Sequence, residues 1–324
     1  MSTYDTGIET TDMATAMQYR KIWRAIAVRT PLDIGSVMTT FLHTNTNYLI
    51  ANLAITDFLV CTFATLEVIT HRLTFNNWTL NSFGKLILCK LDYVGLLRWI
   101  STTSSALALV LVSGERFIGI VYPLHYHYIV TPKRLRICIV CQWITAIASE
   151  IKLVFVLYYD EDIGQCLYNE NILNVPAQIA LFGLQFCISY AIPVLILIFI
   201  YTRMLASLKG TGMLSEIASD QRAKTFRQAR KNIFSNLLII TILFIAFLTP
   251  LQVVSLLFDY FPEYFGVVSY EEFGIELQKL YLISLFVLPL FNSVINPIVY
   301  SLRYKQFKKA INVSVFCICR GSWS

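Results

Sequence analysis

Six stretches of the chain are apolar enough, for long enough, to cross a hydrocarbon core: 46–70, 93–115, 135–158, 176–203, 232–258 and 280–301. A helix needs about 20 such residues to span ~30 Å. Ile233–Phe258 and Leu280–Leu302 contain no charged side chain at all. The runs lack the two-residue alternation of a membrane barrel. A lipid-exposed strand would also leave backbone groups unpaired, so helices are the expected form. The pattern therefore predicts an all-α membrane protein. Polar sequence is confined to short connections, to the N-terminal segment and to 206–230, which is expected to prolong the flanking helices with basic ends.

Charge placement orients these spans. Segments 1–45, 116–136, 203–231 and 302–324 hold 20 of the 26 Lys and Arg residues. By the positive-inside rule they are cytoplasmic. The net charge of +6 thus reads as membrane topology and gives no sign of nucleic-acid binding. Composition agrees: 56% of residues are hydrophobic and 14% charged, against nearer a quarter charged in soluble domains. The eight cysteines show no metal-ligand spacing. No signal peptide is visible in the polar first 20 residues.

One charge stands out. Trp99–Gly114 is free of charge and is followed by Glu115 and Arg116. A charge at the edge of a span is costly to place in lipid and marks a candidate functional site. Around it runs Glu115-Arg116-Phe117-Ile118-Gly119-Ile120-Val121-Tyr122-Pro123-Leu124. The last span ends Asn292-Ser293-Val294-Ile295-Asn296-Pro297-Ile298-Val299-Tyr300, before the amphipathic Arg303–Lys309. Asn52-Leu53-Ala54 with Asp57, Trp143, Pro193 with Tyr201, and Phe244 with Pro250 mark the intervening spans. In this order and on these sides of the membrane, they resemble the rhodopsin-like (class A) family of G-protein-coupled receptors. The resemblance covers about 45–310 and implies a seven-transmembrane-type helical bundle, of which six spans are clear here. The implied organisation is a polar N-terminal segment 1–45, a bundle 46–301, and a membrane-surface helix with a short tail over 302–324.

The resemblance implies roles. Arg116, held by Glu115 at rest, would swing toward Tyr201 and Tyr300 and open a cytoplasmic cleft for a heterotrimeric G protein, with arrestin a further candidate partner. The bland alternative is a local ion pair capping the helix, worth ~0–1 kcal/mol when exposed. An acidic second restraint found in many relatives is absent near Arg227, Arg230 and Lys231, so raised basal activity is expected. Asp57, Ser105, Asn292 and Asn296 are similar to a sodium-binding pocket, and oxygen ligands suit a hard cation; the alternative is a protonated Asp57 in a plain hydrogen-bond network. Prolines 193, 250, 289 and 297 are kinks or hinges. Cys89 and Cys166 are the expected outer disulfide, although Cys89 lies 27 residues before Arg116 where relatives have 25, which implies a local insertion or bulge. Cys317 and Cys319 are palmitoylation candidates, with free thiols the alternative. Asn77 begins an outward-facing glycosylation sequon.

The ligand side is read from Glu67, Arg98, Trp99, Phe247, Leu248 and Gln252. Arg98 lies eighteen residues before Arg116, where amine-binding relatives have aspartate, which argues against a monoamine. Glu67 and Arg98 either pair with each other or leave Arg98 for an acidic group of the ligand, such as a peptide or small acid. Glu150 and Lys152 are unusual within a span and are expected to face the bundle or snorkel. No lysine follows Lys279 in the last span, so retinal is excluded, and no other cofactor is expected.

Two departures stand out. Ile22–Asp33 carries Arg24, Arg29 and Asp33 and offers no apolar 20-mer, so the family's first helix is expected to be missing or replaced. Leu248 stands two residues before Pro250, where relatives usually have tryptophan, which leaves Phe244 or Phe247 as the pocket-floor trigger. Three readings follow: a plasma-membrane receptor for an extracellular ligand; a truncated, non-signalling form that modulates a full-length sibling; and a transporter, for which the inverted repeats are lacking. No nucleophile–base pair or metal cluster suggests an enzyme.

Overall fold

The computed structural model describes residues 45–72, 81–90, 95–161, 165–168, 174–217, 221–260 and 287–303. The expected loss of the first helix, the sequon at Asn77, and Cys317 and Cys319 all lie outside them.

Four of the described helices are long and apolar enough to cross a membrane, over Asn45–Ile69, Leu96–Val121, Pro176–Lys209 and Arg230–Leu256. They belong to α1 (Asn45–Arg72), α3 (Leu96–Val121), the run α7 (Val175–Phe186) through α8 (Ile192–Ile217), and α9 (Gln221–Tyr260). α2 (Ser82–Leu88) precedes α3, and α4 (Tyr126–Ile129) follows it. α5 (Pro132–Glu150) is the helix of the 135–158 run, and α10 (Leu288–Arg303) that of the final run.

Local sequence explains the boundaries. Thr131 caps α5 by accepting the Arg134 amide, with Pro132 at the first helical position, where its missing N–H costs nothing. Asn174 caps α7 in the same way, accepting the Ala177 amide at 3.0 Å. Asn81 caps α2 through the Gly84 amide at 2.9 Å.

The third long run ends earlier as a helix than its hydropathy suggests. α5 stops at Glu150; a single turn, α6 (Lys152–Val156), leads into β1 (Leu157–Asp160). β1 pairs antiparallel with β2 (Gln165–Tyr168), with Tyr159 opposite Cys166. Cys166 is disulfide-bonded to Cys89 at the end of α2, with Cα atoms 5.7 Å apart. The outer hairpin is thereby stapled to the segment just before α3, on the side of the membrane where disulfides persist.

α3 is the central helix. α1, α5 and α8 pack on it; α10 packs on α1 and α9, and α9 on α8. The shared core includes Leu53, Leu109, Val112, Leu197, Met204, Leu237, Ile240 and Phe244. Many large apolar side chains on the outer faces, such as Phe58, Val140, Leu195 and Phe199, are exposed in the isolated chain, as expected where lipid is the solvent. Polar groups instead collect inside, around α3.

Candidate functional site

Buried polar clusters occupy three depths along α3. The innermost surrounds Glu115 and Arg116. α3 continues past them to Val121, so they lie about a turn and a half before the helix end. Glu115 is buried, and its Oε1 accepts hydrogen bonds from Thr46 of α1 (2.8 Å) and Tyr126 of α4 (2.5 Å). Its Oε2 lies 3.3 Å from Arg116 Nε. That contact is an ion pair without hydrogen-bond geometry. Glu115 is thus bound firmly by neutral donors and only electrostatically by Arg116, whose side chain stays 24% exposed against 2% for Glu115. Burial and the adjacent Glu115 push the Tyr126 phenol up to about 12, so it remains a donor at every physiological pH.

Tyr201 is on α8, buried, and not at Arg116. Its hydroxyl contacts Ser113 Oγ of α3 at 3.1 Å and receives a hydrogen bond from Thr241 of α9 at 2.8 Å. The backbone of Tyr300 belongs to α10; its side chain lies outside the described residues.

The middle cluster surrounds Asp57. Its Oδ1 accepts from Ser105 at 2.7 Å and its Oδ2 from Asn296 Nδ2 at 3.1 Å. Asn292 and Ser293 are buried on α10, within about a turn of Asn296. The Oδ1 atoms of both Asn292 and Asn296 are buried without a hydrogen-bond donor. Two unfilled carbonyl oxygens beside a carboxylate and a hydroxyl suit a hard cation. One turn toward the cytoplasm, Asn52 donates to Gln142 Oε1 at 2.9 Å, and Gln142 donates to Ser104 Oγ at 2.8 Å. Trp143 donates to Asn52 Oδ1 at 3.4 Å.

The outer cluster pairs Glu67 with Arg98. Arg98 Nε lies 2.5 Å from Glu67 Oε2, and its Nη2 lies 3.3 Å from Oε1. Both side chains are at most 3% exposed. The Arg98 guanidinium also lies over the Trp99 ring, 4.4 Å from its centroid, an added cation–π attraction. Gly95 at the start of α3 makes room for the pair. Its φ is +68°, and a Cβ there would meet the Glu67 carboxylate at 2.6 Å. Only glycine combines that conformation with that approach. The irregular start of α3 lies within the segment where the Cys89–Arg116 spacing implies a bulge.

The three pocket candidates on α9 separate. Leu248 is buried in the core, whereas Phe247 is half-buried and stacks on the exposed Phe291, with centroids 6.1 Å apart. Gln252 is half-buried. Phe244 is the buried aromatic near Pro250, stacked on Tyr190.

A fourth cluster carries residues that no motif marks. Glu150 is fully buried. It accepts from Gln185 of α7 at 2.7 Å and Thr103 of α3 at 3.2 Å. Lys152 Nζ lies 3.7 Å from the centroid of the Phe182 ring. The sequence signal was only the oddity of a carboxylate in a span; its partners are 35 and 47 residues away. Among the described residues no group of three or more His, Cys, Asp or Glu side chains is placed to hold a metal.

Comparison with known proteins agrees with this geometry. Residues 35–300 match the family of seven-transmembrane receptors of the rhodopsin type. The chain is similar to the allatostatin-A receptor of Bombyx mori, 23% identical over 292 residues, covering 85% of this chain and 72% of that one. It is similar to a QRFP-like peptide receptor of Branchiostoma floridae, 24% identical over 290 residues, with coverages of 85% and 70%. It also resembles the human alpha-1A adrenergic receptor, 27% identical over 317 residues, with coverages of 86% and 63%. The chain belongs to the rhodopsin family of seven-transmembrane receptors, and as such is a multi-pass plasma-membrane receptor and not an enzyme.

Proposed function

We propose that this receptor is activated by an extracellular peptide and transmits the signal to a heterotrimeric G protein by opening its cytoplasmic end around Arg116. The observation that carries this is the asymmetry of the inner cluster. Glu115 is locked by Thr46 and Tyr126, while Arg116 is held by a single ion pair and is partly exposed. Such an arginine has one ion pair and no hydrogen bond to Glu115 to break, and Glu115 stays anchored through its Oε1 when it leaves. Tyr201, buried against α3 and α9, is its partner once α9 moves out, with Tyr300 as the second.

A peptide is favoured over a monoamine by the outer cluster. Arg98 stands where an amine would need a carboxylate, and Glu67 is already neutralised by it. One of the similar proteins is itself named as a peptide receptor. Asp57, Ser105, Asn292 and Asn296 would hold a sodium ion, which would neutralise the buried carboxylate in the resting bundle. The proposed division of the chain is a polar 1–45 segment, the bundle 46–301 and a membrane-surface helix with a short tail over 302–324, with Asn77 the glycosylation candidate and Cys317 and Cys319 the palmitoylation candidates.

The test is guanine-nucleotide loading of G protein by membranes bearing the receptor. A panel of neuropeptides should stimulate it, monoamines should not, and Arg116→Ala at equal surface level should abolish the response. Stimulation by a monoamine alone would overturn the ligand assignment.

A further inference from the structure

Tyr190 lies in the π-helical turn Cys187–Ala191 between α7 and α8. Such single turns are rare and recur at functional places. Its hydroxyl is hydrogen-bonded to Thr249 Oγ1 of α9. Thr249 also donates to the Ile245 carbonyl at 2.5 Å. A threonine hydroxyl has one proton. That proton goes to Ile245, so Tyr190 must be the donor to Thr249. Pro250 follows at once inside α9. It has no N–H, which removes one rung of the ladder and makes a hinge. A threonine bonded back to its own helix bends it further.

The tie is braced by rings. Tyr190 stacks on Phe244, with centroids 6.5 Å apart and planes at 26°, and packs on Phe186 at 5.8 Å. Phe244 is buried, and so is Leu248, which has no hydrogen-bonding side chain. Further toward the cytoplasm Thr241 of α9 donates to Tyr201 of α8. Two tyrosine–threonine pairs thus join α9 to the antiparallel run from the π turn through α8, on either side of Phe244, one at the proline hinge and one nearer the cytoplasmic end.

We propose that the Tyr190–Thr249 hydroxyl pair is the closed-state restraint on the α9 hinge, and that its release lets the cytoplasmic half of α9 leave Tyr201. This rests on the reading of the bundle as one that opens at its inner end. The pair is a positioning device, distant from Glu115 and Arg116. It replaces nothing chemically; it sets the population of the open state.

The experiment measures the distance between spin-labelled amino acids incorporated at Tyr128 and Lys231, in the whole chain in lipid nanodiscs without ligand. Both positions are exposed. Tyr190→Phe and Thr249→Val should each raise the open population about fivefold, the equivalent of about 1 kcal/mol for one hydrogen bond. Thr249→Ser, which keeps the hydroxyl, should match the parent protein. The double variant should exceed neither single one, since both remove the same bond. Unchanged distances in both single variants, equal shifts in Thr249→Val and Thr249→Ser, or additive effects would overturn the proposal. Nucleotide loading is read in parallel. Opening without added loading would leave the restraint intact and contradict G-protein coupling; loading by the parent protein without opening in the variants would contradict the restraint alone.

Discussion

The buried Glu67–Arg98 pair sets what a single substitution can cost. With both side chains at most 3% exposed, deleting one strands the other charge in low dielectric, at about 3–5 kcal/mol. Arg98→Ala should therefore lower the melting temperature of the detergent-solubilised receptor sharply. The exchanged pair Glu67→Arg with Arg98→Glu should recover part of it, and no recovery would show that the cost is not electrostatic. Gly95→Ala should destabilise even with both charges present, by roughly 1–3 kcal/mol for the backbone strain alone, because its φ is +68° and the new Cβ would press on Glu67. The middle cluster is tested by sodium. The parent receptor should melt at higher temperature in sodium than in equimolar choline, since a ligand bound only to the folded state stabilises it. Asp57→Asn should be insensitive to the exchange. Equal responses of the two proteins would remove sodium from the site.

At the scale of elements, hydrophobic runs mark the four long spans well, since length and composition alone decide whether a helix can cross lipid. They mark the end of α5 poorly. Ile151–Tyr158 is as apolar as a span, yet the chain turns and enters β1, whose pairing with Gln165–Tyr168 is a long-range fact. The motif residues Glu115, Asp57 and Trp143 were legible because their roles travel with their neighbours in sequence. Tyr126, Thr46, Gln142 and Gln185 were not, because each acts through a partner on another element, and period and composition do not encode that contact. Glu150 is the clearest case: its position was legible as an anomaly and its function as a crosslink of α3, α5 and α7 was not. Glu150→Ala should leave Gln185 and Thr103 without their acceptor and cost about 1–3 kcal/mol, read as a lower melting temperature. Glu150→Gln, which keeps an acceptor, should cost less.

For the whole molecule, the polar clusters along α3 and the hydroxyl pairs on α9 describe a bundle held closed by few bonds. α4 is tied to α1 through one carboxylate, Glu115, and α9 to α8 through hydroxyl pairs. Ties of this kind are each worth about 1 kcal/mol, so losing one shifts a two-state population several-fold without unfolding the protein. The most direct test is ligand-free guanine-nucleotide loading of G protein by membranes carrying matched surface amounts of the parent receptor and Arg116→Ala. The account predicts loading by the parent above receptor-free membranes and background with Arg116→Ala; full loading by Arg116→Ala would contradict it.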